Sequence, residues 1–240
     1  ETAPIIPIPA QQNLNADLVI QAIEETIPTP PRDTEKPPLL KIARSFDINR
    51  PGASPDSLKG GVIGGSLSQG LLHVGDKIEI CPGRLVDYEG RKQWIPIQTK
   101  VMTLLAGKQV LEEIGPGGLM GLGTQLDPIM TKSDALVGQV AGEPGKLPPA
   151  RNSFTMNMQL LERVVGVTDE SSVEPIHSSE PLMLNVGTAT TVGVVSSARE
   201  GGVVQVQLKR PVCAEKGDRV AVSRRIGARW RLIGVGTITE

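Results

Sequence analysis

From Leu39 to the end, short aliphatic runs are broken at near-regular intervals by Gly, Asp and Pro. That punctuation constrains the fold more than anything else in the sequence, because few of the segments it leaves reach the length of an ordinary helix. Short β-type segments between turn residues predict an all-β sandwich or barrel. The totals agree: Gly (27) and Pro (20) are abundant in a chain of 240 residues without low-complexity runs, so turns must be many.

Two β-rich stretches are expected. The first runs over 39–147 through "LLKIARSFDI", "GGVIGGSLSQG", "LLHVGDKIEIC", "QWIPIQTKVMTLLA", "VLEEIGPGGLMGLG" and "ALVGQVAG". The second, 148–240, follows a linker at 142–150 and repeats the style. Its "VVQVQLK" alternates with period two, placing Val204, Val206 and Leu208 on one face and Gln205 and Gln207 on the other. Each stretch is predicted to close as an antiparallel barrel. Residues 1–38 differ. "PIIPIP" (4–9) reads as a short buried strand, and 15–26 as an amphipathic helix with Leu14, Leu18, Val19, Ala22 and Ile23 on one face. Asn15 or Asn13 is expected to cap it, and Pro28 to end it. "PTPPRDTEKPP" (28–38) reads as a stiff linker.

Chemical signals are sparse. Cys81 and Cys213 are far apart, and neither they nor His73 and His177 sit at metal-ligand spacing. No apolar run approaches the roughly 20 residues of a membrane span. The sequence shows no signal peptide and opens without Met, so it is read as a fragment. Aromatics make up 2%, too few for a base-stacking row. Net charge is −1, which announces no bulk attraction to nucleic acid or membrane. Residues 203–236 nevertheless hold eight Lys or Arg against two acids. These are either the solvated outer face of strands or a contact for a phosphate backbone.

"GPGGLMGLG" (115–123) has five glycines in nine positions. A dinucleotide fingerprint fails because Met120 replaces the third glycine and Asp127-Pro128 forbids a following helix. No stretch supplies G-x-x-x-x-G-K-[ST]. "DYEG" (87–90) matches a GTPase D-x-x-G but reads as a hairpin tip. The glycines are left to backbone geometry at barrel corners, or to close approach of a planar ligand. "GGVIGG" (60–65) poses the same choice between a bulged strand and a side-chain-poor pocket floor. Nucleophile elbows and metalloprotease motifs are absent from the sequence.

Six segments carry a resemblance: "SFDINRPG" (45–52), "LKGGVIGGSLSQG" (58–70), "VGDKIEICPG" (74–83), "PGGLMGLGTQLDP" (116–128), "VGQVAG" (137–142) and "SRRIGARWRLIGVG" (223–236). Through them the chain resembles the gamma subunit of eukaryotic and archaeal translation initiation factor two, over nearly its whole length and in order. The resemblance implies a cytoplasmic translational GTPase related to elongation factor Tu, with a G domain followed by two β-barrels. With GTP and Mg²⁺ bound, such a protein delivers initiator methionyl-tRNA to the small ribosomal subunit, and it forms a heterotrimer with alpha and beta subunits.

On that resemblance, 1–38 is the tail of a G domain. Pro9, Ala10 and Gln11 stand where the family's guanine-contacting loop reads Ser-Ala-Gln, so the serine is replaced and Pro9 has no N–H to donate. The P-loop, switches and N-K-x-D motif are not in this sequence, so GTP and Mg²⁺ are expected only in the longer protein, and this portion should not hydrolyse GTP alone. Ile48, Val62, Gly64, Gly65, Gly117 and Gly118 would line the pocket for the tRNA acceptor end. The hairpin 84–94 would dock alpha, and beta would dock on the G domain. Lys209, Arg210, Arg224, Arg225, Arg229 and Arg231 would face RNA. A selenocysteine-type elongation factor and a free-standing interaction module are the competing readings. The "SRRIGARWRLIGVG" ending argues against the first, and the helix with "PIIPIPAQ" against the second.

Overall fold

The computed structural model describes residues 3–12, 14–165, 172–199 and 201–240. The chain divides into two units, Glu1–Arg32 and Asp33–Glu240. In the first, helix α1 (Ala16–Thr26) forms as expected. Its cap does not. Asn15 sits at φ 61° and makes no side-chain cap; its amide instead donates to the Pro7 carbonyl at 3.0 Å. Asn13 lies outside the described residues. "PIIPIP" is no buried strand: Ile5 is 94% exposed, and no described strand pairs with it. Pro4, Pro7 and Pro9 have no N–H to offer a ladder, which is the physical reason. Val19 and Ala22 are half-buried, beside Pro4, Ile6 and Ile8. Leu14, Leu18 and Ile23, from the same predicted face, stay exposed.

The second unit is two closed antiparallel barrels in series. The first contains β1 (Leu39–Phe46), β2 (Val62–Gln69), β3 (Leu72–His73), β4 (Lys77–Tyr88), β5 (Arg91–Ala106), β6 (Gln109–Leu111), β7 (Glu113–Ile114), β8 (Met120–Thr124) and β9 (Val140–Gly142). Six strands close in the order β4-β9-β1-β2-β8-β5, with β5 returning to β4; β6 extends from β5, and β3 pairs with β7 as a small ribbon. The second barrel comprises β10 (Ala150–Leu160), β11 (Pro181–Val186), β12 (Ala189–Arg199), β13 (Val203–Cys213), β14 (Arg219–Ile226) and β15 (Arg229–Ile238). Its closed order is β10-β13-β12-β11-β14-β15.

Period two decides which side chains enter each barrel. Val204, Val206 and Leu208 are buried while Gln205 and Gln207 face solvent, as read from the sequence. They join Leu182, Leu184, Val220, Val222 and Ile233 in one core; Leu40, Ile42, Ile63, Leu104 and Leu122 anchor the other. Turn chemistry supplies the connections. "DYEG" is a hairpin tip, since Glu89 and Gly90 both take positive φ (50° and 77°) between β4 and β5, the backbone that matches the right-handed twist of a two-residue hairpin. The run 181–198 is two strands joined at Gly187-Thr188. "ALVGQVAG" yields only β9. The proline-rich linker is half docked: the Asp33 carbonyl accepts from Gly70 N at 2.8 Å, and the Pro37 carbonyl from Gln69 at 3.0 Å.

One ion pair fixes the approach to β9. The Asp134 carboxylate accepts from Ser45 N and from Arg44 Nε, each at 2.9 Å. The Ser45 amide first, then the guanidinium, hold this carboxyl below the usual aspartate range. A lowered carboxyl pKa favours the folded state above the ordinary aspartate value and loses that benefit as pH falls through it. The acid-side slope of stability should therefore flatten in Asp134→Asn, measured by urea titration between pH 6 and pH 3. For the core, Leu184→Ala should cost about 3 kcal/mol while Gln205→Ala should stay within about 0.5 kcal/mol; urea midpoints check both.

Candidate functional site

A groove of about 900 Å³ on the first barrel opens where β1 ends and β2 begins. Phe46 pairs with Val62 across that mouth. Phe46, Ile48, Leu58, Met102 and Val110 are 40–69% exposed and gather around it. Lone exposed apolar side chains mean little, but this many around one concavity mark a binding surface. Met102 and Leu105 come from β5, on the face turned away from the buried Val101 and Leu104.

The rim is held by one side chain. Asn49 Oδ1 accepts from Lys59 N at 2.7 Å, and its Nδ2 donates to the Lys59 carbonyl and to Asp47 Oδ1, each at 2.7 Å. Asn49 thus imitates a strand neighbour across the loop and keeps Ile48 and Leu58 on opposite lips. Deeper, Thr124 Oγ1 donates to the Gly61 carbonyl at 2.7 Å, and Gly61 N to the Leu126 carbonyl at 2.9 Å.

The glycine-rich run is thereby explained. Gly117 (φ 112°) and Gly118 (φ 67°) form the turn into β8. Gly121 and Gly123 are strand residues that leave the groove wall without side chains, and a Cβ on Gly123 would lie 2.4 Å from Thr103 Oγ1. The run is a barrel corner followed by a bare wall, with no helix behind it to bind phosphate.

Of the six pocket residues named from sequence, Ile48 and Val62 line the groove. Gly64 and Gly65 lie further along β2, paired with Gly121 and Met120. A Cβ on Gly65 would stand 2.0 Å from the Lys41 carbonyl oxygen, so its bareness serves β1–β2 approach. Gly117 and Gly118 also lie outside the lining. Sequence reading missed Phe46, Leu58, Met102, Leu105 and Val110. Strict alternation places Met102 with Leu104 and Leu105 with Val101; the β5 register shift between Val101 and Thr103 is what brings Met102 and Leu105 to the outer face, so the available signal was Phe46 and Leu58, which stand in the same two resembling segments as Ile48 and Val62.

The six basic residues do not form one patch. Lys209 and Arg210 lie near the Ala150 end of β10, through the β10–β13 ladder; Arg225, Arg229 and Arg231 lie near the Leu160 end, at the β14–β15 hairpin. Arg224 is occupied internally. Its guanidinium grips Glu180 with Nε and with Nη2 at 3.1 Å, and donates to the carbonyls of Glu174 (2.9 Å) and Pro175 (3.0 Å). Both side chains are only 15% exposed, so this arginine straps 174–180 onto β14 instead of facing RNA. Trp230 pairs across from Arg225 outside the core. Pro9, Ala10 and Gln11 form an exposed 3₁₀ turn (Ala10–Gln12), closed by Gln12 N on the Pro9 carbonyl at 2.9 Å.

Two six-stranded antiparallel barrels in series, one bearing an open apolar groove, define a tandem-barrel module of the kind formed by the second and third domains of elongation factor Tu. Residues 152–238 match the family described as "Initiation factor eIF2 gamma, C terminal". The chain is 60% identical over 238 residues to translation initiation factor 2 subunit gamma of Methanothermobacter thermautotrophicus, a match covering 99% of this chain and 58% of that protein. Against the same subunit of Halorubrum lacusprofundi it is 61% identical over 241 residues, covering 100% and 58%; for Archaeoglobus fulgidus the values are 59% over 238 residues, 99% and 55%. The chain is thus similar along its whole length to gamma subunits of translation initiation factor 2, and it spans a little over half the length of these relatives.

Asn49→Ala should open the rim without unfolding the barrel. We expect a loss of about 1–2 kcal/mol and faster amide exchange confined to 47–61, read by hydrogen–deuterium exchange.

Proposed function

We propose that this chain is the tRNA-receiving and subunit-docking portion of a GTP-dependent initiation factor, and that the first-barrel groove takes the aminoacylated end of initiator methionyl-tRNA. The observation that carries this reading is the groove itself. Its sides are Phe46, Ile48, Leu58, Val62 and Met102, its wall the bare backbone of Gly121 and Gly123, and its rim includes Lys59 and Gln125. A thioether side chain or a flat base gains by leaving water for such a slot, and a side-chain-free wall lets it approach the backbone. Lys59, which makes no ion pair among the described residues, is suited to a terminal phosphate.

The remaining roles follow the same reading. The β4–β5 hairpin presents Leu85 (49% exposed) and Tyr88 (65% exposed), and we assign it to the alpha subunit. Arg225, Arg229 and Arg231 at the β14–β15 hairpin suit RNA of the small ribosomal subunit or the tRNA. GTP and Mg²⁺ would be held by a G domain outside these 240 residues, which would also carry the beta subunit. Here only the Pro9–Gln11 turn would approach the base.

The test uses the full-length gamma subunit with its alpha partner and GTP. Ile48→Asp and Met102→Glu, both at exposed positions of the slot, place a carboxylate there and should weaken binding of initiator methionyl-tRNA by about tenfold or more, with alpha binding and urea midpoint unchanged. Retention of wild-type tRNA affinity by both folded variants would overturn the assignment.

A further inference from the structure

The only two cysteines of this chain are on different barrels, and each faces the other. Cys81 lies on β4, where the ladder to β5 jumps from Ile80↔Ile97 to Arg84↔Ile95. Cys213 is the last residue of β13. The residues next to them, Pro82 to Arg84 on one side and Arg210 to Val212 on the other, line a single groove of about 370 Å³ between the barrels. β4 and β13 pack against each other here, close enough for each thiol to shift the pKa of the other. Neither thiol is in a disulfide.

Both backbones are pinned. Cys81 is in the β4–β9 ladder opposite Val140. The bulge after it is clamped by buried Gln139, which accepts from Gly83 N at 2.8 Å and donates to the Gly83 carbonyl at 3.0 Å. Cys213 pairs with Ala150, and the next residue is fixed twice: Ala214 N donates to the Pro149 carbonyl at 3.3 Å, and the Ala214 carbonyl accepts from Arg151 Nε at 2.9 Å. The pair is therefore held in place by the two barrel frameworks, and no loop motion is needed to bring the sulfurs together.

We propose that Cys81 and Cys213 are a redox-active dithiol that peroxide converts to an intramolecular disulfide, joining the two barrels covalently. The Cys81 thiolate attacks the O–O bond of hydrogen peroxide, giving Cys81 sulfenic acid and hydroxide. The Cys213 sulfur then attacks the sulfenic sulfur, the S–S bond forms and the hydroxyl leaves. The thiol proton and the hydroxide complete the balance: two thiols and one peroxide yield one disulfide and two waters. The order of the steps follows the environment. The neighbouring Cys213 thiol holds the Cys81 thiol down, while the Cys81 thiol, together with burial, pushes Cys213 up. Glu79, whose Oε1 accepts from the Cys81 thiol at 3.6 Å, opposes the thiolate. A thiol reductant reverses the link.

The test is peptide mapping of the full-length protein after hydrogen peroxide treatment, using an equal mixture of ¹⁴N- and ¹⁵N-labelled protein. The tryptic peptides 78–84 and 210–216 should be recovered joined, less two hydrogens, in all-light and all-heavy pairs, with both free peptides lost. Cys213→Ser should leave Cys81 as a sulfenic acid trapped by dimedone, and neither single variant should give the joined peptide. Recovery of the two wild-type peptides as free thiols or as sulfinic acids would overturn the proposal. Light–heavy pairs would do so as well, because they report cross-links between molecules.

Discussion

A β-strand leaves its backbone donors and acceptors pointing sideways, and a strand with one neighbour satisfies only half of them. Both sheets of this chain meet that demand by closing, β5 back onto β4 and β15 onto β10. Once closed, each barrel has an inside filled mostly by aliphatic side chains, with Phe154 and methionines among them, and an outside left to polar residues and to binding surfaces. The groove, the β4–β5 hairpin and the basic hairpin are all features of that outside, positioned by ladders that cannot slip without turning a whole core outward.

Closure also explains where the bare backbone falls. A six-stranded barrel brings neighbouring strands together at its corners, and Gly65 and Gly123 occupy points where a Cβ would meet Lys41 or Thr103. At Gly123 the bare groove wall is thus first a requirement of packing, present whether or not anything binds. At Gly121 a Cβ would meet only Leu105 at 3.9 Å, an ordinary contact, so packing does not demand that glycine.

The barrels were legible in the sequence because period-two alternation and turn residues are local signals, and "VVQVQLK" carried both faces of β13 correctly. The groove was legible only in part. Ile48 and Val62 could be placed from the segments that resemble the family, and Phe46 and Leu58 stand in those same two segments; Met102 and Val110 reach the groove from β5 and β6, and strand order is a long-range fact. Charge was the least legible. Eight cations within 203–236 looked like one patch, yet antiparallel strands send near neighbours in sequence to opposite ends of a barrel. Arg224 was beyond reach because its partner, Glu180, is 44 residues away. "PIIPIP" failed for another reason: apolar content suggested burial, while its three prolines withhold the donors a ladder needs.

The Asn49 clamp reaches beyond the geometry of the rim. By joining the two ends of the β1–β2 connection at Asp47, Asn49 and Lys59, it isolates the segment from Arg50 to Ser57 from the framework below. A loop cinched at its neck is free to differ in length and composition above the knot. The spacing of Ile48 from Val62, and so the width of the slot, is then inherited from one amide side chain, while the segment overhead can be reshaped to suit whatever passes over it.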